Sequence, residues 1–175
     1  MKPGEHFSVV TDVSKSASVR ECFQRVLEKY HRAPDIIVNC AGIFTYRLLL
    51  DMTEEDFDKV VDVNLKGTFL VTQVGYHAPG YVREGFIILI QKAVSLMKEN
   101  GLPGSVINIA SIVARTGDVG TAHYAASKAG MIGFTKTASN ELGQFGIRVN
   151  AILPGMIKTQ MTDGLTEEVS STKTR

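Results

Sequence analysis

The 175-residue sequence holds no apolar run close to the ~20 residues that a membrane-spanning helix needs; its most membrane-like run, Phe86–Ile90, falls far short. Cysteine is scarce: Cys22 and Cys40 are the only two and have no metal-ligand spacing. That disfavours a disulfide framework and suits a reducing compartment. His6, His31, His77 and His123 likewise match no ligand spacing; all four read as surface or packing residues, and no metal is expected. Net charge is only +1, with a pI near 7.8, so nothing draws the chain to nucleic acid or to an acidic membrane surface. Glycine is absent between Gly4 and Gly42, which excludes a glycine-rich phosphate turn early in the sequence. Met1–His6 form neither a signal peptide nor an arginine-rich amphipathic helix, so no targeting segment is visible.

What is present suits a single domain, large enough for a proper core. Phe7-Ser8-Val9-Val10 predicts a short strand. Val19, Cys22, Phe23, Val26, Leu27 and Tyr30 recur at helical spacing and predict an amphipathic helix stopped by Pro34. Asp35–Asn39 reads as an apolar strand covered on both faces, and Ala41-Gly42 as a turn at its carboxyl end. Thr53 with Glu54, Glu55 and Asp56 opens a second helix, continued by Phe57, Val60, Val61, Leu65 and Phe69. Asn64 lies within it; taken alone, it reads as an exposed polar residue. Ser105–Ala110 and Ile147–Leu153 predict two further strands, separated by a helix running from about Tyr124 to Leu142 or Gly143. From Thr162 onward the chain turns polar and reads as a flexible tail over 162–175.

The pattern with most chemistry in it is Tyr124-Ala125-Ala126-Ser127-Lys128. Tyrosine and lysine four apart on a helix share one face. An ammonium that close favours tyrosinate, predicting a phenol pKa lowered from its reference of about 10, suited to exchanging a proton with an alcohol. Ser111 follows the apolar run Val106–Ala110, where a strand-end hydroxyl can join the phenol on one carbonyl oxygen. Each feature has a plainer reading: the pair arises by chance, and Ser111 is a turn serine.

Together these residues resemble the catalytic set of the short-chain dehydrogenase/reductase family. Asn39-Cys40-Ala41-Gly42 resembles that family's Asn-Asn-Ala-Gly turn, with Cys40 a departure. Asn64-Leu65-Lys66-Gly67 resembles its helix asparagine, and Pro154–Thr159 the segment that closes over nicotinamide. The similarity runs from about Phe7 to Met161. It implies an α/β fold, a doubly wound parallel sheet of the Rossmann kind, here lacking the first two strands and the last. It also implies an NAD-dependent oxidoreductase, NADP not being excluded, that interconverts a ketone and a secondary alcohol. The substrate would be a 3-ketoacyl thioester or a hydroxysteroid.

In that resemblance Ser111 polarises the carbonyl, Tyr124 transfers the proton, Lys128 lowers the tyrosine pKa and holds the nicotinamide ribose, and Asn64 supports a proton relay. Asp12 would accept from the adenine amino group, with Val13 beside it; the plainer reading makes Asp12 or Ser14 a helix cap. Asn39, Ala41 and Gly42, then Pro154, Gly155, Ile157, Lys158 and Thr159, complete the implied cofactor contacts. The resemblance further implies homo- or hetero-oligomers of family members and a mitochondrial-matrix location, the cytoplasm being the alternative.

Residues 74–91 fit this frame badly: Gly75, Pro79, Gly80 and Gly85 break the helix before Lys92–Met97 resume it. The segment reads as an insertion, arising from an unspliced intron or exon edge, or as a true surface insertion. Without a phosphate turn, the chain is expected to bind a dinucleotide weakly and to turn over poorly. The alternative function is a non-catalytic subunit that associates with full-length relatives.

Overall fold

The computed structural model describes residues 6–75 and 104–159. Among them are three strands, β1 (Ile36–Asn39), β2 (Gly104–Ile109) and β3 (Ile147–Ile152), in one parallel sheet of order β1-β2-β3. Helices alternate with them: α1 (Ser16–Tyr30), α2 (Glu54–Val61), a π-helical turn (Asp62–Lys66), α3 (Gly67–Gly75), the short α4 (Val113–Thr116) and α5 (Ala122–Gly143). Parallel strands alternating with helices fit the Rossmann-like α/β fold anticipated for this chain. The insertion placed at 74–91, apart from Val74 and Gly75 at the end of α3, and the tail at 162–175 lie outside the described residues.

Helix boundaries follow local chemistry. Thr53 and Asp56 form a reciprocal capping box: the Thr53 hydroxyl accepts from the Asp56 amide, and the Asp56 carboxylate accepts from the Thr53 amide. At the other end of α1, His31 adopts a left-handed conformation (φ 54°) and its amide donates to the Leu27 carbonyl. The helix therefore stops before Pro34, which had looked like its terminator. One wider turn over Asp62–Lys66 links α2 to α3, the Gly67 amide donating to the Asp62 carbonyl.

Two strand expectations are corrected. Phe7–Val10 is not a strand: a ladder needs a partner, no described strand runs beside it, and Val10 is fully exposed. Phe7 instead packs its ring on Tyr30, 5.7 Å away. Strand β1 is not covered on both faces either, since Ile37 and Asn39 are buried but Ile36 and Val38 are more than half exposed. The described helices lie against one face. There Ile37, Val106, Ala138, Ile147 and Val149 form the core, flanked by Phe23, Val71, Phe134 and Leu142.

A buried polar chain crosses that same face. The Asn39 side-chain amide donates to Thr72 Oγ1 of α3 (3.1 Å) and to Asn108 Oδ1 of β2 (2.8 Å). Asn108 in turn donates to Thr135 Oγ1 of α5 (2.9 Å), which donates to the Met131 carbonyl. Asn39 and Asn108 are register partners at the carboxyl ends of β1 and β2, so the chain fixes where the two following loops begin. Replacing Asn108 by alanine leaves one Asn39 amide hydrogen without its acceptor and the Thr135 oxygen without its donor, while Thr72 and Met131 still engage the two groups. The variant should lose about 3 kcal/mol or more in urea unfolding, since each unsatisfied buried group costs about 1–3 kcal/mol; a loss below about 1 kcal/mol would deny the chain this role.

Candidate active site

The three loops at the carboxyl ends of the strands converge on the start of α5. After β1, Gly42 approaches two side chains so closely that an added Cβ would lie 3.2 Å from Asn64 Oδ1 and 3.5 Å from Lys128 Nζ. Asn64 is wholly buried, not exposed. Its Oδ1 accepts from the Ile43 amide (2.8 Å), and its Nδ2 donates to the Ile43 carbonyl (3.0 Å) and to Ser127 Oγ (3.1 Å). The Asn64 carbonyl, in the π-helical turn, accepts from Thr68 Oγ1 (2.8 Å).

After β2, the Ser111 hydroxyl accepts from the Val113 amide (3.2 Å), as a turn serine does, and lies near enough to the Tyr124 phenol to oppose the rise in its pKa. The turn reading of Ser111 is met by that amide contact. The following loop is tied back to the Gly42 loop: the Arg47 amide donates to the Gly120 carbonyl (3.0 Å), and the Tyr46 ring covers Gly120. Gly120 combines positive φ (71°) with a Cβ position only 2.4 Å from that ring, so no side chain fits there. After β3, the Pro154 carbonyl accepts from the Ile112 amide (3.0 Å), placing the Pro154–Thr159 segment beside Ser111.

Tyr124 and Lys128 share one face of α5, with Lys128 Nζ 5.6 Å from the phenol ring centroid. Phe44 meets the Tyr124 ring edge-on at 5.1 Å. Lys128 is buried, donates to the Ile109 carbonyl (2.7 Å), and makes no ion pair with a carboxylate among the described residues. Ser111, Tyr124, Lys128, Asn64 and Gly42 thus form one cluster.

A family model described as enoyl-(acyl carrier protein) reductase matches residues 2–78 and 82–174. The chain belongs to the short-chain dehydrogenase/reductase family. It is 45% identical over 166 residues to human (3R)-3-hydroxyacyl-CoA dehydrogenase, covering 95% of this chain and 57% of that protein. The mouse protein of the same name is 43% identical with the same coverage. A Thermotoga maritima 3-oxoacyl-acyl-carrier-protein reductase is 40% identical over 170 residues, 97% of this chain and 61% of that protein. The chain therefore spans about three-fifths of the length of these relatives.

Not every residue expected from the short-chain dehydrogenase/reductase pattern is brought to the cluster by its side chain. Both donors of the Asn39 amide are spent in the buried chain beneath the sheet, so its side chain serves the core. Asp12 is exposed, and its carboxylate accepts from the Ser14 amide and hydroxyl, which holds it below the usual carboxylate range. It organises the turn ahead of α1 but does not cap the helix, whose N-cap position is Lys15 with no side-chain cap bond. Val13 packs its side chain against Gly67 at the start of α3. Ala41, Gly155, Ile157, Lys158 and Thr159 are exposed on the loops around the cluster. Three contributors were missed: Phe44, Ser127 and His123. Ser127 lies inside the Tyr124–Lys128 stretch, and His123 precedes it directly; position was the only available signal.

The expected drop in the phenol pKa is corrected. Burial raises the Tyr124 pKa above its ordinary value near 10, against the opposing hydrogen bond from Ser111. Burial likewise lowers the Lys128 pKa, opposed by the nearby Cys40. The ammonium is turned to the Ile109 carbonyl, and desolvation of the phenol prevails. A raised folded pKa means that the phenol's contribution to stability is present below about pH 10 and is lost as pH rises through the folded value. A 295-nm difference titration of wild type against Tyr124→Phe should place the Tyr124 ionisation above 10; a transition below 9 would restore the lysine-driven reading.

Proposed function

We propose that this chain carries the proton-transfer site of a nicotinamide-dependent oxidoreductase that interconverts a ketone and a secondary alcohol. The observation that carries the reading is the convergence of Ser111, Tyr124 and Lys128 on the Gly42 turn, with Asn64 holding that turn in place. The residues fit a dinucleotide on one local test. Gly42 lets the backbone come within reach of a buried ammonium whose ion-pair needs no described carboxylate meets, a pairing suited to ribose hydroxyls. Lys128, Gly42 and Ala41 would hold that end, with Pro154, Gly155, Ile157, Lys158 and Thr159 closing over it and Asp12 and Val13 toward the adenine. NAD is the nucleotide proposed, with NADP to be titrated beside it. When bound, the nicotinamide supplies or accepts the hydride.

The rest of the chemistry belongs to side chains. The Ser111 hydroxyl donates to the substrate carbonyl oxygen and polarises it. The Tyr124 phenol, kept protonated by its burial, gives its proton to the oxygen as negative charge develops there. Lys128 steadies the resulting tyrosinate electrostatically from its place beside the ring. Asn64 keeps Ile43, Ser127 and the Gly42 turn from drifting away from that oxygen. The protonated phenol is the form that ketone reduction requires, although its raised pKa makes it a weaker acid.

The substrate class proposed first is a 3-ketoacyl thioester, because the relatives above are named for 3-hydroxyacyl-CoA and 3-oxoacyl-carrier-protein chemistry. A hydroxysteroid is the second class. Homo- or hetero-oligomers with family members, and residence in the mitochondrial matrix, are proposed on the family resemblance; exposed Phe57 and Phe69 are available to such an association. Calorimetric titration with NADH and NADPH, followed by ketoacyl-thioester-dependent oxidation, tests the reading. Tyr124→Phe should lower kcat by roughly 10²–10⁴-fold with little change in nucleotide affinity. Near-wild-type kcat in that variant would reject the assignment. An inert chain that still assembles with a full-length relative would favour the subunit alternative.

A further inference from the structure

One buried titratable side chain takes no part in the chemistry above. His123 is wholly buried at the start of α5, directly before Tyr124. Amides in the first turn of a helix have no intrahelical acceptor, and a cap side chain ordinarily meets one of them. Here Thr121 cannot, because its hydroxyl donates to the Asp118 carbonyl (2.7 Å) and accepts from the Asp118 amide (3.2 Å). The Tyr124 amide donates instead to His123 Nδ1 at 2.9 Å. A nitrogen that accepts carries no proton, so that bond calls for a neutral ring protonated at Nε2. In that tautomer the Nε2–H donates to Thr45 Oγ1, 2.8 Å away. Thr45 follows Phe44, the ring packed on Tyr124, and Ile43, the residue gripped by Asn64.

We propose that His123 is a positioning residue: its neutral imidazole ties the Tyr124 backbone to the Gly42 loop, and protonation of the ring undoes the tie. Imidazolium has donors on both nitrogens, so Nδ1 could no longer accept and the Tyr124 amide would face an N–H. The catalytic meaning of this rests on the function proposed above; the tie itself does not.

The surroundings favour the neutral ring. Burial lowers the His123 pKa below its ordinary value of 6.5, while the Thr121 carbonyl and the Asp56 carboxylate oppose that shift. Asp56 belongs to α2 and is already engaged by the Thr53 amide and by Arg47 of the Gly42 loop at 3.5 Å. Tyr124 is the titratable neighbour on α5 itself, and it stays protonated over the acid range. A depressed folded pKa gives the tie its full strength above about pH 6.5. It weakens as pH falls toward and through the folded pKa, where imidazolium forms.

The test uses the full 175-residue chain at three readouts. Long-range nitrogen–proton spectra of His123 should show the Nε2-protonated tautomer at pH 7.5; an Nδ1-protonated ring would overturn the proposal. Hydrogen exchange of the Tyr124 amide, corrected for the intrinsic rate, should rise at least tenfold as pH falls through the His123 titration. In His123→Asn, whose carboxamide oxygen lies where Nδ1 does and can accept from the same amide without titrating, though it is too short to reach Thr45, that rise should vanish. An equal pH response in both proteins would refute the tie, and His123→Leu should exchange fast at every pH if it folds. Where turnover is measurable, kcat should follow the His123 titration in wild type and not in His123→Asn, with KM for nucleotide little changed. Absence of turnover with the expected tautomer and exchange would favour the non-catalytic subunit alternative and leave the tie standing.

Discussion

The site depends on one buried carboxamide. Asn64 brings an amide dipole into the interior, where leaving its donor and acceptor unpaired would cost about 1–3 kcal/mol per group. Three hydrogen bonds meet that demand, two to the Ile43 backbone in the turn after β1 and one to the Ser127 hydroxyl of α5. A turn after β1, a wide helical turn and the Tyr124 helix are therefore joined at one residue. Gly42 has no room for a Cβ beside this carboxamide without displacing it, which is why the turn closes on glycine.

A second level of polar order lies beneath. The Thr72–Asn39–Asn108–Thr135 chain pins α3, β1, β2 and α5 at the height where the sheet gives way to its loops. The apolar core of Ile37, Val106, Ile147 and Val149 supplies most of the burial, and such side chains contribute about 1.5–3 kcal/mol each when fully buried. Apolar packing alone sets no register, however. Directional bonds between Asn39 and Asn108 do, and they fix where Gly42 and Ser111 emerge.

Electrostatics at the site are governed by desolvation. Tyr124 and Lys128 are each pushed toward the neutral form by burial, and their mutual placement does not reverse this. On the function proposed above, a phenol held protonated, with a buried ammonium near its ring, would release its proton when charge develops on a bound oxygen. The neutral His123 ring extends the same logic to the backbone of the donor residue.

Much of this was legible in the sequence. Helical periodicity marked α1, the Thr53 cap with its acidic first turn marked the start of α2, and Gly143 and Gly146 marked the end of α5, because local spacing and capping are written in adjacent residues. The direction of the Tyr124 pKa was not legible, since burial is decided by segments far apart in the chain. The same holds for Asn64, which reads as an exposed helix asparagine until Ile43 and Ser127 fold around it. Phe7–Val10 has strand-forming residues, yet a strand exists only with a neighbour to accept its hydrogen bonds. His123 was one unremarkable histidine among four. Only the tertiary structure decided its tautomer, because a neutral imidazole takes the proton on whichever nitrogen its partners leave as the donor.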